Sequence, residues 1–201
     1  MLFSCHNPCK KITKEPYWGH ETYIRTYCDC KDTTTYIDST FYDGHLNSVS
    51  EKYHNLRQGK WVDFNSSGSV WSYEIYEKNS LKEKMSLGDN CRKIREYKND
   101  TVYYLKSYTL NGTLIKEGQM QGENKSGKWI DYDTVTKEKV IANYFPITKW
   151  DTANCTTYDS TTGEITLAPR CDLGVLNGKW EKYDKNGNLI DHKNYIMGDE
   201  K

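Results

Sequence analysis

Residues 59–76 read GKWVDFNSSGSVWSYEIY, and this stretch decides the fold. Residues 59–64 are short and rich in aromatic side chains. Residues 65–68 form a turn sequence, because Asn and Ser bond to nearby backbone groups and Gly takes a positive φ at no steric cost. Polar and apolar residues then alternate, which predicts a half-buried strand with one face formed by Trp71, Tyr73 and Ile75. The stretch therefore predicts a β-hairpin.

The hairpin sequence is repeated along the chain. Gly-Lys-Trp occurs at residues 59–61, 127–129 and 178–180, and an aromatic residue follows each Gly five positions later. A weaker copy starts at Arg92, and the second half of the unit stands alone in Tyr108, Gly112 and Leu114. Because each unit needs these residues, we expect them to be structural: Gly59, Lys60, Trp61, Phe64, Gly68, Gly127, Lys128, Trp129, Tyr132, Gly178, Lys179, Trp180, Tyr183 and Gly187.

Repetition and composition together predict an all-β fold, an elongated antiparallel meander of consecutive β-hairpins. A single hairpin is marginal in water, whereas stacked hairpins bury the Trp and Tyr of each unit against the next. Only 36% of the 201 residues are hydrophobic, yet the chain holds 17 Tyr and 6 Trp against 4 Phe, which favours a thin sheet over a compact globule. Helical signal is confined to residues 79–85, where a strand is an equally good prediction.

The copies also predict how the chain is organised. Residues 1–35 contain no copy, but they hold four of the seven cysteines, so we expect an extended segment that caps the first hairpins. Residues 36–201 form the repeat domain, with an insertion around residues 141–175 that breaks the pattern.

Charge excludes one class of partner. The chain has 28 basic and 28 acidic side chains, so its formal net charge is zero and a nucleic-acid partner is disfavoured. The longest apolar run is only a few residues, which predicts no transmembrane helix. No phosphate-binding loop or His-based metal motif is present, so we expect no cofactor and no metal.

The cysteines suggest export. Leu2-Phe3-Ser4-Cys5 resembles the lipobox of bacterial lipoproteins, in which the Cys carries the lipid. A lipid on Cys5 would leave six cysteines for disulfides, and Cys155 with Cys171 is the pair we favour, since they flank a probable hairpin. We therefore expect a periplasmic or cell-envelope protein that contacts the membrane only through Cys5. The alternatives are a cytoplasmic protein with seven reduced thiols and, less favoured, a metal site built from N-terminal cysteines.

The repeat resembles the MORN-repeat group, in particular the variant found in bacterial proteins labelled antitoxin-like. Its typical unit is Gly-Lys-Trp-x-x-Tyr-x-x-x-Gly-x-Leu. Residues 178–189 match each of these positions, and residues 59–70 match with Phe64 for Tyr and Val70 for Leu. The resemblance implies a twisted antiparallel sheet of hairpins that acts as a protein-binding scaffold, and the antitoxin-like label implies that it neutralises a partner toxin.

Two functions from different classes remain as hypotheses. The first is a non-catalytic scaffold, not an enzyme, that binds a protein partner through exposed aromatic residues. The alternative is a cell-surface hydrolase that uses carboxylates on the sheet face, such as Asp63 and Asp131. The structural interpretation of these carboxylates is a solvated strand face that pairs with Lys60, Lys128 and Lys179.

Overall fold

The computed structural model describes residues 15–17, 21–28, 31–88, 90–145, 156–158, 165–167 and 174–201. All regular structure in these ranges is β, and they contain no helix long and apolar enough to cross a membrane. The chain divides into two compact units, Met1–Asp89 and Asn90–Lys201.

The strands of the first unit form an antiparallel meander in the order β1-β2-β3-β4-β6-β7-β8, and β5 pairs with the end of β4. These strands are β1 (Glu15–Tyr17), β2 (Glu21–Tyr27), β3 (Tyr36–Tyr42), β4 (His45–Tyr53), β5 (Leu56–Arg57), β6 (Gly59–Phe64), β7 (Val70–Glu77) and β8 (Ser80–Leu87). β2 pairs with β3 along its whole length, so part of the predicted capping segment adds a strand to the sheet. The helical alternative for residues 79–85 is wrong, because Asn79 lies in a turn and the residues after it belong to β8.

The second unit repeats the same architecture in the order β9-β10-β11-β12-β13-β16-β17-β18, while β14 and β15 pair only with each other. Its strands are β9 (Cys91–Tyr97), β10 (Val102–Thr109), β11 (Leu114–Gln121), β12 (Asn124–Tyr132), β13 (Lys139–Phe145), β14 (Thr156–Tyr158), β15 (Ile165–Leu167), β16 (Val175–Tyr183), β17 (Leu189–Ile196) and β18 (Asp199–Glu200). The prediction of an all-β antiparallel meander of consecutive hairpins is confirmed.

The predicted turn sequences form one recurring loop. The backbone N–H of Gly68 donates to the carbonyl of Asn65 (2.9 Å), and the N–H of Gly187 donates to that of Asp184 (3.1 Å). Both glycines have a positive φ, 79° and 89°, which Gly adopts without a steric penalty. The side-chain Oδ1 of Asn65 and of Asp184 accepts N–H groups two and four residues further on, so the acceptor residue fixes the loop.

Each Gly-Lys-Trp copy forms a β-bulge. Gln119 pairs with Ser126 and the adjacent Gly118 pairs with Trp129, so β12 holds two residues more than β11 at this point. The other two copies also hold two additional residues at this point. They lie between β5 and β6 opposite β4, and in β16 opposite β13. The glycine of every copy lies in this bulge with a positive φ: Gly59 (70°), Gly127 (65°) and Gly178 (99°).

The insertion stands in the place of a tight turn. Two-residue turns with positive φ join Glu77 to Ser80 and Ile196 to Asp199, and each of these residue pairs is in register. Phe145 follows Trp129 by as many residues as Glu77 follows Trp61, and it pairs with Val175 as Glu77 pairs with Ser80. Residues 146–174 therefore occupy the position that two residues fill in the other copies.

The core of the second unit lies on one face of the sheet. Trp129 is only 1% exposed and packs with Leu105 and Met120, and Tyr103 and Tyr144 border this cluster. Gly118 lies opposite Trp129 on β11, where a side chain would collide with the indole ring.

The side chains that share a sheet face differ from the sequence-based expectation in two places. Each Trp and the following aromatic residue were expected to fill one seam, but they are three positions apart on a strand, so alternation puts them on opposite faces. Trp129 pairs with Gly118 and Ala142, whereas Tyr132 pairs with Lys139.

The second difference concerns β7, where Trp71 was expected on the buried face together with Tyr73 and Ile75. Trp71 is 47% exposed, and the buried residue of the strand is Tyr76, on the opposite face from Trp71. Tyr76 pairs with Gly59 and packs against Trp61, and alternation along the strand puts Trp71, five residues earlier, on the opposite face.

Candidate functional site

In two of the three Gly-Lys-Trp copies, the tryptophan is held by a hydrogen bond that closes the unit on itself. The indole N–H of Trp129 donates to the carbonyl of Gln119 (2.8 Å), and the indole N–H of Trp61 donates to that of Glu51 (2.9 Å). Both acceptors lie ten residues before the Trp. Buried indole N–H groups need such a partner, so the carbonyl fixes the ring orientation.

A cation and a tyrosine complete this arrangement. The Nζ of Lys125 lies 4.7 Å from the ring centre of Trp129 and 4.6 Å from that of Tyr144. The first unit has the same arrangement, with guanidinium-to-ring distances of 4.7 and 5.3 Å for Arg57 over Trp61 and Tyr76. The tyrosines follow each Trp by fifteen residues, an offset that also places Tyr195 after Trp180. Sequence reasoning missed these residues, although their constant offsets carry the signal.

The opposite face of the second unit carries a line of tyrosines. Tyr183 pairs with Lys139, which in turn pairs with Tyr132, and Tyr108 pairs with Arg92. The three tyrosines lie on β10, β12 and β16, which are every second strand of the sheet. We call Arg92, Tyr108, Tyr132, Lys139 and Tyr183 the tyrosine row; all five are half-buried.

Two tyrosines of the row are fixed by carboxylates. The hydroxyl of Tyr132 donates to Oε1 of Glu117 (3.0 Å), whose Oε2 accepts from Tyr104 (3.2 Å). The hydroxyl of Tyr183 donates to Oε2 of Glu181 (3.0 Å). Burial, followed by the hydrogen bond to Glu117, raises the pKa of Tyr132 to about 12, so its hydroxyl stays protonated at neutral pH.

The cations of the row lie against its rings. The guanidinium carbon of Arg92 is 5.1 Å from the ring centre of Tyr108, and Nζ of Lys139 is 5.0 Å from that of Tyr183. Within the described ranges, neither Arg92 nor Lys139 forms an ion pair, and Nε of Arg92 is buried without a hydrogen-bond partner. The row therefore carries two cations without an ion pair in the described ranges, next to the carboxylates of Glu117 and Glu181.

The predicted lysines and carboxylates have partners other than each other. Asp63, in the first unit, accepts a hydrogen bond from Ser72 (2.6 Å). Asp131, in the second unit, lies 3.7 Å from Nζ of Lys125. The expected pairing with the repeat lysines is therefore wrong, because each Lys lies three residues before its Asp and projects from the other face. Lys60 instead lies 4.1 Å from the ring centre of Tyr73, as expected for a lysine that lies along a ring, and Lys128 and Lys179 are exposed.

The cysteine predictions fall mostly outside the described residues, and this holds for Cys5, Cys155 and Cys171. Of the described cysteines, Cys28 is disulfide-bonded and Cys91 is free. No group of three His, Cys, Asp or Glu side chains in the described part of the chain is arranged to hold a metal ion.

Fold and site together define a class, an antiparallel all-β repeat protein with a tyrosine row on one sheet face. In comparisons with known proteins, no protein-family model and no curated protein matches this chain. The geometry of the tyrosine row therefore carries the functional conclusion.

Proposed function

We propose that this protein is a non-catalytic repeat scaffold of the MORN-like, antitoxin-like kind, and that it binds a protein partner through the tyrosine row. The observation that carries the proposal is the alignment of three tyrosines on one face, with the hydroxyls of Tyr132 and Tyr183 held by glutamates. Tyrosine supplies a large contact area together with a polar tip, and it is enriched at protein interfaces.

Fixed rings favour binding because less conformational entropy is lost when a partner docks. Immobilising a flexible side chain at an interface costs roughly 0.5–1.5 kcal/mol. Tyr132 and Tyr183 are already ordered by their hydrogen bonds, so much of that cost is absent for them. Asp63 and Asp131 belong to separate units and are each engaged by a neighbour, which supports a scaffold better than the cell-surface hydrolase.

The test is site-specific photo-crosslinking in the organism that makes the protein. A photoreactive amino acid replaces Lys139 in the row, and a control protein carries it at Lys185, in the turn after β16. We expect a discrete crosslinked protein from position 139 and none from position 185. The adduct should disappear when Tyr132→Ala and Tyr183→Ala are added. Equal labelling from both positions, or an adduct that survives the tyrosine substitutions, contradicts the proposal.

We also propose that the protein works in the periplasm or at the cell envelope, attached to the membrane through a lipid on Cys5. The support is the disulfide at Cys28, since disulfides persist in oxidising compartments. Cell fractionation of the protein expressed from its native gene tests this. We expect Cys5→Ser to release the protein from the membrane fraction, and unchanged membrane association of this variant would refute anchoring.

A further inference from the structure

The tyrosine row has a regular spacing that limits what can bind to it. Neighbouring strands are about 4.8 Å apart, so tyrosines on every second strand lie about 9.6 Å apart. Tyr108, Tyr132 and Tyr183 follow this spacing across β10, β12 and β16. A ligand that contacts all three rings must run across the strands and present a similar group about every 9.6 Å.

Among polypeptide conformations, polyproline II matches this spacing. It has three residues per turn and a rise of about 3.1 Å, so every third residue recurs after about 9.3 Å. The mismatch accumulates to roughly 0.6 Å over the whole row. Side chains on one face of a β-strand recur after about 6.7 Å. Two turns of an α-helix span about 10.8 Å and drift from the row by roughly 2.4 Å.

We infer that the tyrosine row binds a proline-rich, acidic segment of the partner protein in the polyproline II conformation. This inference rests on the proposed function and specifies the chemistry of the partner. Aromatic-lined surfaces are the recurring receptors for this helix, since a proline ring is compact and apolar and the helix is already extended before it binds. Every third residue of the segment stacks on one tyrosine.

The charges of the row determine the acidic character of the segment. Arg92 and Lys139 lie beside the tyrosines without an ion pair among the described residues. Glu117 and Glu181 keep their negative charges, but their oxygens already accept hydrogen bonds from tyrosines, and Glu96 pairs with Lys106 at 2.8 Å. None of these carboxylates forms an ion pair with Arg92 or Lys139, so both cations keep donors for a ligand. Carboxylates of the ligand, placed between its prolines, therefore complement the two free cations.

The experiment measures the affinity of the whole protein for labelled peptides by fluorescence anisotropy. The probe consists of four Pro-Pro-Glu triplets. One control has Gly for each Pro, with the same charge but no preformed helix, and a second has Lys for each Glu, with the same helix but the opposite charge. We expect the probe to bind at least tenfold more tightly than either control, with an affinity that falls as salt increases.

Protein variants locate the binding. We expect Tyr132→Ala and, separately, Lys139→Glu each to weaken binding of the probe at least tenfold. Tyr53→Ala, which removes a tyrosine of the first unit, should leave binding unchanged. Circular dichroism of each variant separates loss of binding from loss of folding, and Lys139→Glu changes a side chain that forms no hydrogen bond with any residue the structure describes.

Three outcomes overturn the inference. They are equal affinity for the Pro and Gly peptides, equal affinity for the Glu and Lys peptides, and unchanged binding in both row variants. If the peptides fail while position 139 still crosslinks to a protein, the polyproline II inference fails and the proposed function stands. If neither experiment gives a signal, both fail.

Discussion

Gly118→Ala is the sharpest test of how the second unit is packed. Gly118 lies in the middle of β11, opposite Trp129, and its φ lies outside the positive range, so alanine suits the backbone there. An added Cβ would lie 2.5 Å from Cγ and from Cε2 of the Trp129 ring. Real Cβ atoms do not approach that closely, so either the ring or the strand must move.

The size of the effect follows from what holds the ring. Trp129 is 1% exposed, and its indole N–H is bonded to the carbonyl of Gln119, the residue that follows Gly118. Overpacking of a core costs about 1–3 kcal/mol. Because this ring can move only by breaking its hydrogen bond, we expect the upper part of that range. For a chain of this length, such a loss lowers the Tm by roughly 4–12 °C.

The assay is urea unfolding followed by far-UV circular dichroism, because the fluorescence of Trp129 itself changes with the perturbation. Trp129→Ala serves as the partner substitution in a double-mutant cycle, since it removes Cγ and the ring atoms that the new methyl would meet. We expect the two substitutions together to destabilise the protein by at least about 1 kcal/mol less than the sum of the single effects. Additive effects, or a Gly118→Ala protein as stable as the parent, would refute the proposed clash.

Three further predictions concern local features. Hydrogen bonds from the Asn188 side chain and nearby backbone N–H groups lower the pKa of Asp184 from its ordinary value of 3.8. The carboxylate therefore stabilises the fold above pH 3.8, and this contribution is lost as the pH falls below that value. Urea midpoints at pH 6 and pH 2.5 should differ less in Asp184→Asn than in the parent protein. Replacing residues 146–174 with a Lys-Asn turn should preserve the β-sheet signal in circular dichroism, and loss of cooperative unfolding would contradict the shared register. In an alkaline titration followed at 295 nm, Tyr132 should ionise near pH 12, and Glu117→Gln should lower that pKa; an unchanged titration curve would rule out this hydrogen bond as a cause.

The hairpins could be predicted because their signals are local. The turn at residues 65–68 is specified by its own side chains, and each Gly-Lys-Trp lies in a strand at a bulge where its glycine has a positive φ. These requirements are met within a few residues of sequence, so spacing alone predicts the meander.

The composition of each face could not be predicted in the same way. Simple alternation placed Trp71 on the buried face, but side-chain direction depends on register, and a two-residue bulge changes register in every copy. The tyrosine row also depends on which strands are neighbours. Residues 146–174 separate Lys139 from Tyr183 in the sequence, although they pair directly in the sheet. Arg92 and Tyr108 are brought together in the same way by the pairing of β9 with β10.

The indole-to-carbonyl bond has a consequence for how such genes change. In the copies around Trp61 and Trp129, the indole bonds to the strand just before it and packs beside a tyrosine on the strand just after it. These contacts therefore lie within one neighbourhood of the chain. Unequal recombination between copies would therefore add or remove a complete hairpin whose junctions already fit. The number of hairpins, and with it the length of any tyrosine row, can then evolve without redesign of the existing units.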